Sequence, residues 1–401
     1  MHIAIIWQRF LPYHWARIRR TNQRLEELGF RFTAIEVASQ DASYGFPIKS
    51  AKTKLEYASC FPGQSYHGLK AQEVYETVLK TLNRLKPDIV FAPATSFPEG
   101  MAAVAYRSHS KNRAVMMDDA WEYSDRRGFL IKQIKRLIHQ NIDAAFIPAF
   151  SHSSYYSDMG FPEDRIFFGV DVVDNEYFSQ KAGSARQKRE EIKNRYKMPG
   201  NFFLFVGRFL QRKGLETLIE SYRKYQALQE GNKVWDLVLV GDGSYLEKIR
   251  RMANDIPKVH FIGLQFGDDL CNYYGLAKVL IVPSEIDPWG LVINEGMASG
   301  LPVIVSRGCG AAKTLVQEGE NGWTFDPGEI DKLSNLLVDI SRIEDHILRK
   351  MGEMSQEIIG YWSLDRFADS VMKAITINRR KPAGIVSNIL TRLWKGHVRV
   401  C

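Results

Sequence analysis

Residues 283–305 read PSEIDPWGLVINEGMASGLPVIV, and the order of residue types along them sets the reading of everything around them. A strand end runs into an acidic turn holding Asp287, then a helix carrying Glu295, a stop at Gly300 and Pro302, and a further strand. Glycine ends a helix because it accepts left-handed backbone, and proline cannot resume one. Gly290, Leu291 and Val292 open the helix, where backbone N–H groups lack partners within it and attract phosphate. Counted as helix, the interval from Asp287 to Glu295 rises about 12 Å at ~1.5 Å per residue. Two carboxylates so spaced, with an anion-binding helix end between them, suit a ligand with hydroxyls at both ends and phosphates in the middle. A nucleotide-diphosphate sugar has that layout.

Outward from this stretch, strand and helix patterns alternate along the whole chain. HIAIIW (2–7), RFTAIEVA (31–38), DIVFAPA (88–94), AVMMDD (114–119), DAAFIPAF (143–150) and RIFFGVDVV (165–173) read as strands, with amphipathic helical segments between them. A polar stretch at 179–200 closes on Pro199-Gly200, and NFFLFVG, DLVLVGDG, VHFIGL, VLIVPSE, PVIVS and GWTFD then mark six more strands. Such alternation implies an α/β chain with parallel, doubly wound sheets. The expected division is residues 1–180, residues 181–365, and a crossing helix with a basic amphipathic tail over 366–401. Open parallel sheets bind ligands at the carboxyl ends of their strands.

The segment VGRFLQRKGLETLI places Gly207 and Arg208 just past the first strand of the second half and Lys213 beside Gly214. Taken alone these are two surface cations in a loop. Beside the Asp287 and Glu295 pair they suit a diphosphate leaving group, where negative charge grows as a sugar bond breaks. Gly241-Asp242-Gly243 lacks the third glycine of a dinucleotide fingerprint, since Leu246 stands there, and reads as a tight turn.

The run Asp287-Pro-Trp-Gly-Leu-Val-Ile-Asn-Glu295, with Gly207-Arg208 and Lys213-Gly214 upstream, resembles the signature of the retaining glycosyltransferases of family 4. The resemblance is close over about 200–330 and looser over 1–180. It implies a GT-B fold, two Rossmann-like doubly wound domains facing across a cleft, and transfer of a sugar from a nucleotide donor to a hydroxyl acceptor. By resemblance Arg208 and Lys213 hold the diphosphate, Glu295 the ribose, and Asp287, sharing with Glu285, the sugar hydroxyls. Gly207 and Gly290 to Val292 lend backbone. The first acid is Asp where the family more often has Glu. The family's His-Asp pair after the fourth strand appears here as Asp118-Asp119, so Asp118 either orients sugar or acceptor hydroxyls or caps the following segment. His14 reads as a cleft-facing or a capping histidine. The Asn-Gly-Val-Asp motif appears as Asp171-Val-Val-Asp174 with Phe178 retained, at the junction.

Composition fits an ordinary globular protein, with 45% hydrophobic and 25% charged residues among 401. The net charge of +8 is mainly a property of 366–401, which holds eight basic residues and one acidic. No aromatic RNA-binding signature or zinc-finger spacing points to nucleic acid. Cys60, Cys271, Cys309 and Cys401 are scattered, which suits a reducing compartment. No Asp-x-Asp pair occurs, and neither a metal nor a cofactor is expected, because the nucleotide sugar is itself a substrate. The expected partners are that donor, a saccharide or lipid-linked glycan acceptor, and an anionic membrane surface for the tail, where Ile385, Val386, Ile389, Leu390, Leu393 and Trp394 form one stripe. The expected location is cytoplasmic or peripheral at the inner face of the membrane. Two other readings stay open: a nucleotide-sugar epimerase of the same fold, and a non-catalytic nucleotide-sugar-binding subunit.

Overall fold

In the parallel sheets of α/β proteins, helices cover both faces, so strands are buried runs of apolar residues. That physics organises the computed structural model, which describes residues 1–40, 55–229, 234–381 and 383–398. Two compact units form: Met1–Val172 together with the chain from Leu364 onward, and Val173–Ser363. Residues 173–180 thus pack with the second unit, and the segment after 364 completes the first.

The first unit is built on β1 (His2–Trp7), β2 (Arg31–Gln40), β3 (Glu56–Ser65), β4 (Ile89–Pro93), β5 (Arg113–Met117), β6 (Ala144–Ile147) and β7 (Ile166–Phe168). Their order across the sheet is β3-β2-β1-β4-β5-β6-β7, with every pairing parallel. The second unit holds β8 (Phe202–Val206), β9 (Asp236–Val240), β10 (Val259–Gly263), β11 (Val279–Val282), β12 (Val303–Ser306) and β13 (Gly322–Phe325). These are ordered β10-β9-β8-β11-β12-β13, again all parallel.

Each expected strand has a counterpart, and β3 is an addition. Its sequence EYASCFPGQS carries no apolar run, and of its residues only Phe61 is fully buried. An edge strand needs one covered face at most, so β3 lacks the hydrophobic signal of the central strands.

The helix Pro12–Glu26 departs from its sequence reading. Arg17, Arg20 and Arg24 read as one solvated basic side. In the structure Arg17 is buried and donates to the Val172 carbonyl at 2.9 and 2.7 Å. Arg20 and Arg24 reach Asp365 and Asp369 of the helix Leu364–Ala374, which covers that face. Sequence spacing shows which residues share a face, but not which distant segment returns to cover it.

Arg107 and Asp143 form a fully buried pair of two hydrogen bonds, 2.7 and 2.8 Å, with side chains 1% and 0% exposed. The Asp143 carboxylate also accepts the backbone N–H groups of Ala114 and Arg380, at 2.9 and 2.7 Å. It therefore ties β5, the helix before it and the returning segment together. Removing one partner strands the other charge in the interior, so Arg107→Ala is expected to lower the stability of the first unit by about 3–5 kcal/mol, read as a fall in the urea midpoint of that unit's transition.

Candidate functional site

In the second sheet the strand order reverses between β8 and β11, and open parallel sheets bind ligands beyond the strand ends at such a reversal. The loop after β8 carries Gly207, Arg208 and Lys213; the loop after β11 carries Glu285, Asp287 and Gly290. Neighbouring strands set these loops side by side. The Glu285 N–H donates to the Arg212 carbonyl at 2.9 Å, and the Lys213 ammonium donates to the Asp287 carboxylate at 2.5 Å. Both side chains of that ion pair are largely buried, 15% and 10% exposed.

Two glycines permit this packing. Gly214 has left-handed backbone (φ 66°), and a Cβ there would lie 1.9 Å from the Pro283 carbonyl oxygen. On the other side, a Cβ at Gly308 would meet the Glu285 carbonyl oxygen at 2.2 Å. Asp287 itself is held through its backbone: its N–H donates to the Gly308 carbonyl and its carbonyl accepts from Gly310, both at 3.0 Å. The Gly308 to Gly310 loop was not singled out from sequence; its glycine density beside β12 was the available signal.

The helix begins at Leu291 and runs to Ala298, entered through Gly290 in left-handed backbone (φ 97°). Asp287 therefore lies outside it, and only the turns from Leu291 to Glu295 contribute helical rise, about 6 Å at ~1.5 Å per residue. The expected 12 Å counted a loop as helix. Trp289 fills the interior below the turn, its indole N–H donating to Asn294 at 2.9 Å. Gly207 and Arg208 are half-buried at the end of β8, and Leu291 and Val292 are half-buried on the helix. Glu285 is exposed, in contrast to the buried Asp287.

Glu295 is half-buried, and the hydroxyl of the fully buried Tyr274 donates to it at 2.7 Å. Loss of hydration raises the Glu295 carboxyl to about 7, against the lowering effect of that hydrogen bond. Phe178 packs edge-on against Tyr274, ring centres 6.0 Å apart. Tyr274, in the helix Gly267–Leu276, was not among the residues read from sequence; nothing in its local pattern marks it as the partner of a carboxylate two elements away.

Asp118 and Asp119 follow β5 in the first unit and are half-buried. Burial raises the Asp118 carboxyl above its ordinary range, opposed by nearby Lys135, Tyr156 and Arg127. Asp118 also accepts the Ala120 N–H at 3.4 Å, within its own loop, and Asp119 lies near Arg17. His14 accepts the Leu11 N–H at 3.0 Å and stacks on Trp7, the role of a capping histidine at a helix start. Burial and the neighbouring Arg17 hold its imidazole well below the usual range, hence neutral. Asp174 caps the helix Asn175–Gln187 through the Tyr177 N–H, and the Asp242 side chain accepts the Gly243 N–H within a tight turn. Cys60, Cys271 and Cys309 are free thiols; Cys401 lies outside the described residues.

In the fold, Glu295 keeps its proton up to about pH 7, whereas the unfolded chain releases it near 4.5. Folding therefore binds a proton between those values. The resulting stabilisation is complete below pH 4.5 and declines as pH rises toward 7. Glu295→Gln stays neutral throughout, so the melting temperature of the wild type relative to this variant is expected to fall across that window. A difference that stays flat with pH would refute the burial of this carboxyl.

Residues 187–357 match the family model Glycosyl transferases group 1, a stretch that contains β8 to β13 and the loops just described. Sulfoquinovosyl transferase SQD2 of Arabidopsis thaliana is 27% identical over 283 residues, covering 65% of this chain and 52% of the relative. A GDP-mannose-dependent alpha-(1-6)-phosphatidylinositol monomannoside mannosyltransferase of Mycobacterium tuberculosis is 26% identical over 250 residues, 59% of this chain and 62% of that protein. The matches thus span between half and two-thirds of the length of these relatives. Among solved structures, Anabaena HepE in complex with UDP and glucose superposes with a TM-score of 0.72 at 16% identity, covering 94% of this chain and 99% of HepE. That likeness extends over both units and shows the two-domain α/β fold of GT-B proteins. Together, the comparisons show a Glycosyl transferases group 1 domain in the second unit and a GT-B fold over the chain.

Proposed function

We propose that this chain is a retaining, family 4 glycosyltransferase that moves a sugar from a nucleotide-diphosphate sugar to a hydroxyl acceptor in cell-surface polysaccharide or glycolipid synthesis. The observation that carries the reading is the buried Lys213–Asp287 pair at the strand-order reversal, with Arg208 on the same loop as Lys213, within the matched domain. A UDP-sugar is the first candidate donor, since HepE was solved with UDP and glucose; a GDP-sugar is the second, in line with the mannosyltransferase.

Each residue has a task that follows from its chemistry. Arg208 and Lys213 neutralise the diphosphate as the bond from sugar C1 to phosphate oxygen breaks and the nucleoside diphosphate leaves with the electron pair. Gly207 and the backbone N–H groups at Gly290 to Val292 supply further donors. Glu295 accepts from the ribose hydroxyls. Asp287, assisted by Glu285, takes the sugar hydroxyls on the carboxylate oxygen that does not bind Lys213. The acceptor oxygen attacks C1 from the face the leaving group vacates, and its proton passes to a leaving phosphate oxygen. No covalent bond to the enzyme forms. Asp118, in the first unit, is the candidate for orienting acceptor or sugar hydroxyls. Two fixed cations supply the countercharge that a divalent metal provides elsewhere.

A melting-temperature panel of UDP-, GDP- and ADP-sugars identifies the donor, because a ligand at ~100 times its Kd adds about 2.7 kcal/mol to stability. Release of nucleoside diphosphate only when acceptor is present separates transfer from epimerisation, and donor binding without any turnover would mark a binding subunit. Glu295→Ala is expected to reduce kcat/KM by about tenfold to a hundredfold, the equivalent of ~1.5–3 kcal/mol for lost charged hydrogen bonds. Turnover is expected to persist in EDTA; activity abolished by chelation and restored by manganese would overturn the cationic account.

A further inference from the structure

The carboxyl-edge loops of the first unit hold Asp118 and His14. At the opposite edge of the same sheet, where β6 and β7 begin, lies a depression of about 490 Å³ lined by Gln140, Arg165, Arg379, Arg380, Lys381 and Gly384 among others. Among the described residues, four cations and no carboxylate line it. The three guanidinium groups are anchored by neutral carbonyl oxygens. Arg165 reaches those of Asp143 and Asn378, Arg379 that of Arg107, and Arg380 those of His139, Ile142 and Gly160. Carbonyls fix these groups in place without cancelling their charge. Two carboxylates act on Arg380 from outside the lining: Asp143, which is engaged by the buried Arg107, and Asp164.

Gly384, on the rim of the depression, is the residue before the helix Ile385–Leu393, and that helix is inverted. Its polar residues face inward: Asn141 donates to Ser387 at 2.9 Å and to Thr391 at 3.1 Å, and the Ser387 hydroxyl donates to the Leu137 carbonyl at 2.6 Å. Leu390 and Trp394 rest against the first unit's core. Ile385, Val386, Ile389 and Leu393 point outward, 79%, 61%, 50% and 74% exposed. The helix Phe129–His139, on which it packs, exposes Phe129 and Leu130 as well. The helix Ile385–Leu393 carries one charge, Arg392, and no acid. An apolar stripe left in water beside a concentration of positive charge is matched by a surface that is apolar beneath and anionic above.

We propose that this edge of the first unit docks on an anionic bilayer, the four cations taking lipid phosphates and the outward face of Ile385–Leu393 entering the boundary between headgroups and acyl chains. A second copy of the chain is the poorer occupant, since a two-fold contact would set like cations against each other. No helix among the described residues is long and apolar enough to cross a membrane, so the contact is a surface one. The inference is independent of the transfer reaction.

Vesicle co-sedimentation tests it, using phosphatidylcholine alone and phosphatidylcholine mixed with phosphatidylglycerol. The wild type is expected to pellet with the mixed vesicles and far less with the neutral ones. Two variants alter exposed side chains only: Val386→Asp with Ile389→Asp, and Lys381→Glu. Each is expected to keep the wild-type melting temperature and to weaken partitioning about tenfold or more, Lys381→Glu because each basic residue near an anionic surface contributes roughly a fivefold factor. Unchanged partitioning of either folded variant overturns the proposal. So does a wild type that ignores mixed vesicles while inorganic phosphate or pyrophosphate raises its melting temperature through Lys381, which would make the depression a site for soluble anions. A dimer in sedimentation equilibrium that Val386→Asp with Ile389→Asp disperses overturns it as well, in favour of a second copy.

Discussion

The candidate site depends on one constraint: the turn bearing Asp287 is pressed between two other loops at a distance that only glycine allows. Gly214 brings the β8 loop against Pro283, and Gly308 brings the loop after β12 against Glu285. Within that sandwich the backbone of Asp287 is bonded on both its N–H and its carbonyl by the loop after β12, the β8 loop holds Glu285 through the Arg212 carbonyl, and the Asp287 carboxylate meets Lys213. A long side chain such as Lys213 carries much rotamer freedom in water. Here the surrounding backbone fixes its partner, so the ammonium is positioned before any ligand arrives. Preorganised charge of this kind is what the proposed transfer from a diphosphate leaving group requires.

Glu295 shows a second mode of preparation. Its carboxyl sits in surroundings that oppose ionisation, with one hydroxyl donor among the described residues, Tyr274. Hydroxyl groups of a ligand would add the donors that a buried carboxylate lacks, and so favour the charged form that binds them. Occupancy and ionisation are thereby coupled at this residue, while Lys213 and Asp287 already offset each other.

Much of this was legible from the residues alone. The six strands of the second unit are short, mainly apolar runs, and each lies where its sequence places it. The dense motif at 283–305 located the turn and the helix, because Gly290 and Gly300 mark both helix ends. What escaped has a common cause, which is contact between segments far apart in the chain. Lys213 and Asp287 were legible as separate charges, but their pairing depends on β8 and β11 being neighbours, a matter of strand order. Tyr274 and the Gly308 loop are visible only once the crossover helices are stacked. The edge strand β3 and the covered face of Arg17, Arg20 and Arg24 illustrate the same limit: burial is decided by a partner that local periodicity does not name. The tail gives the opposite lesson, for its apolar stripe was plain in the sequence, but that Ser387 and Thr391 would be the residues turned inward was not.

The division of the chain into units also orders events in time. The second unit is a single continuous stretch, whereas the sheet of the first is finished by residues that follow it. Arg113 reaches the carbonyls of Ile375 and Ile377, Arg165 that of Asn378, and Asp143 receives the N–H of Arg380. A ribosome delivers those partners only after the whole of the second unit has been made. Domains generally mature from the amino terminus as they emerge, yet here Asp143 and two arginines of the amino-terminal half lack these partners until its successor has been made. The lobe that is translated first is the last to have all of its residues.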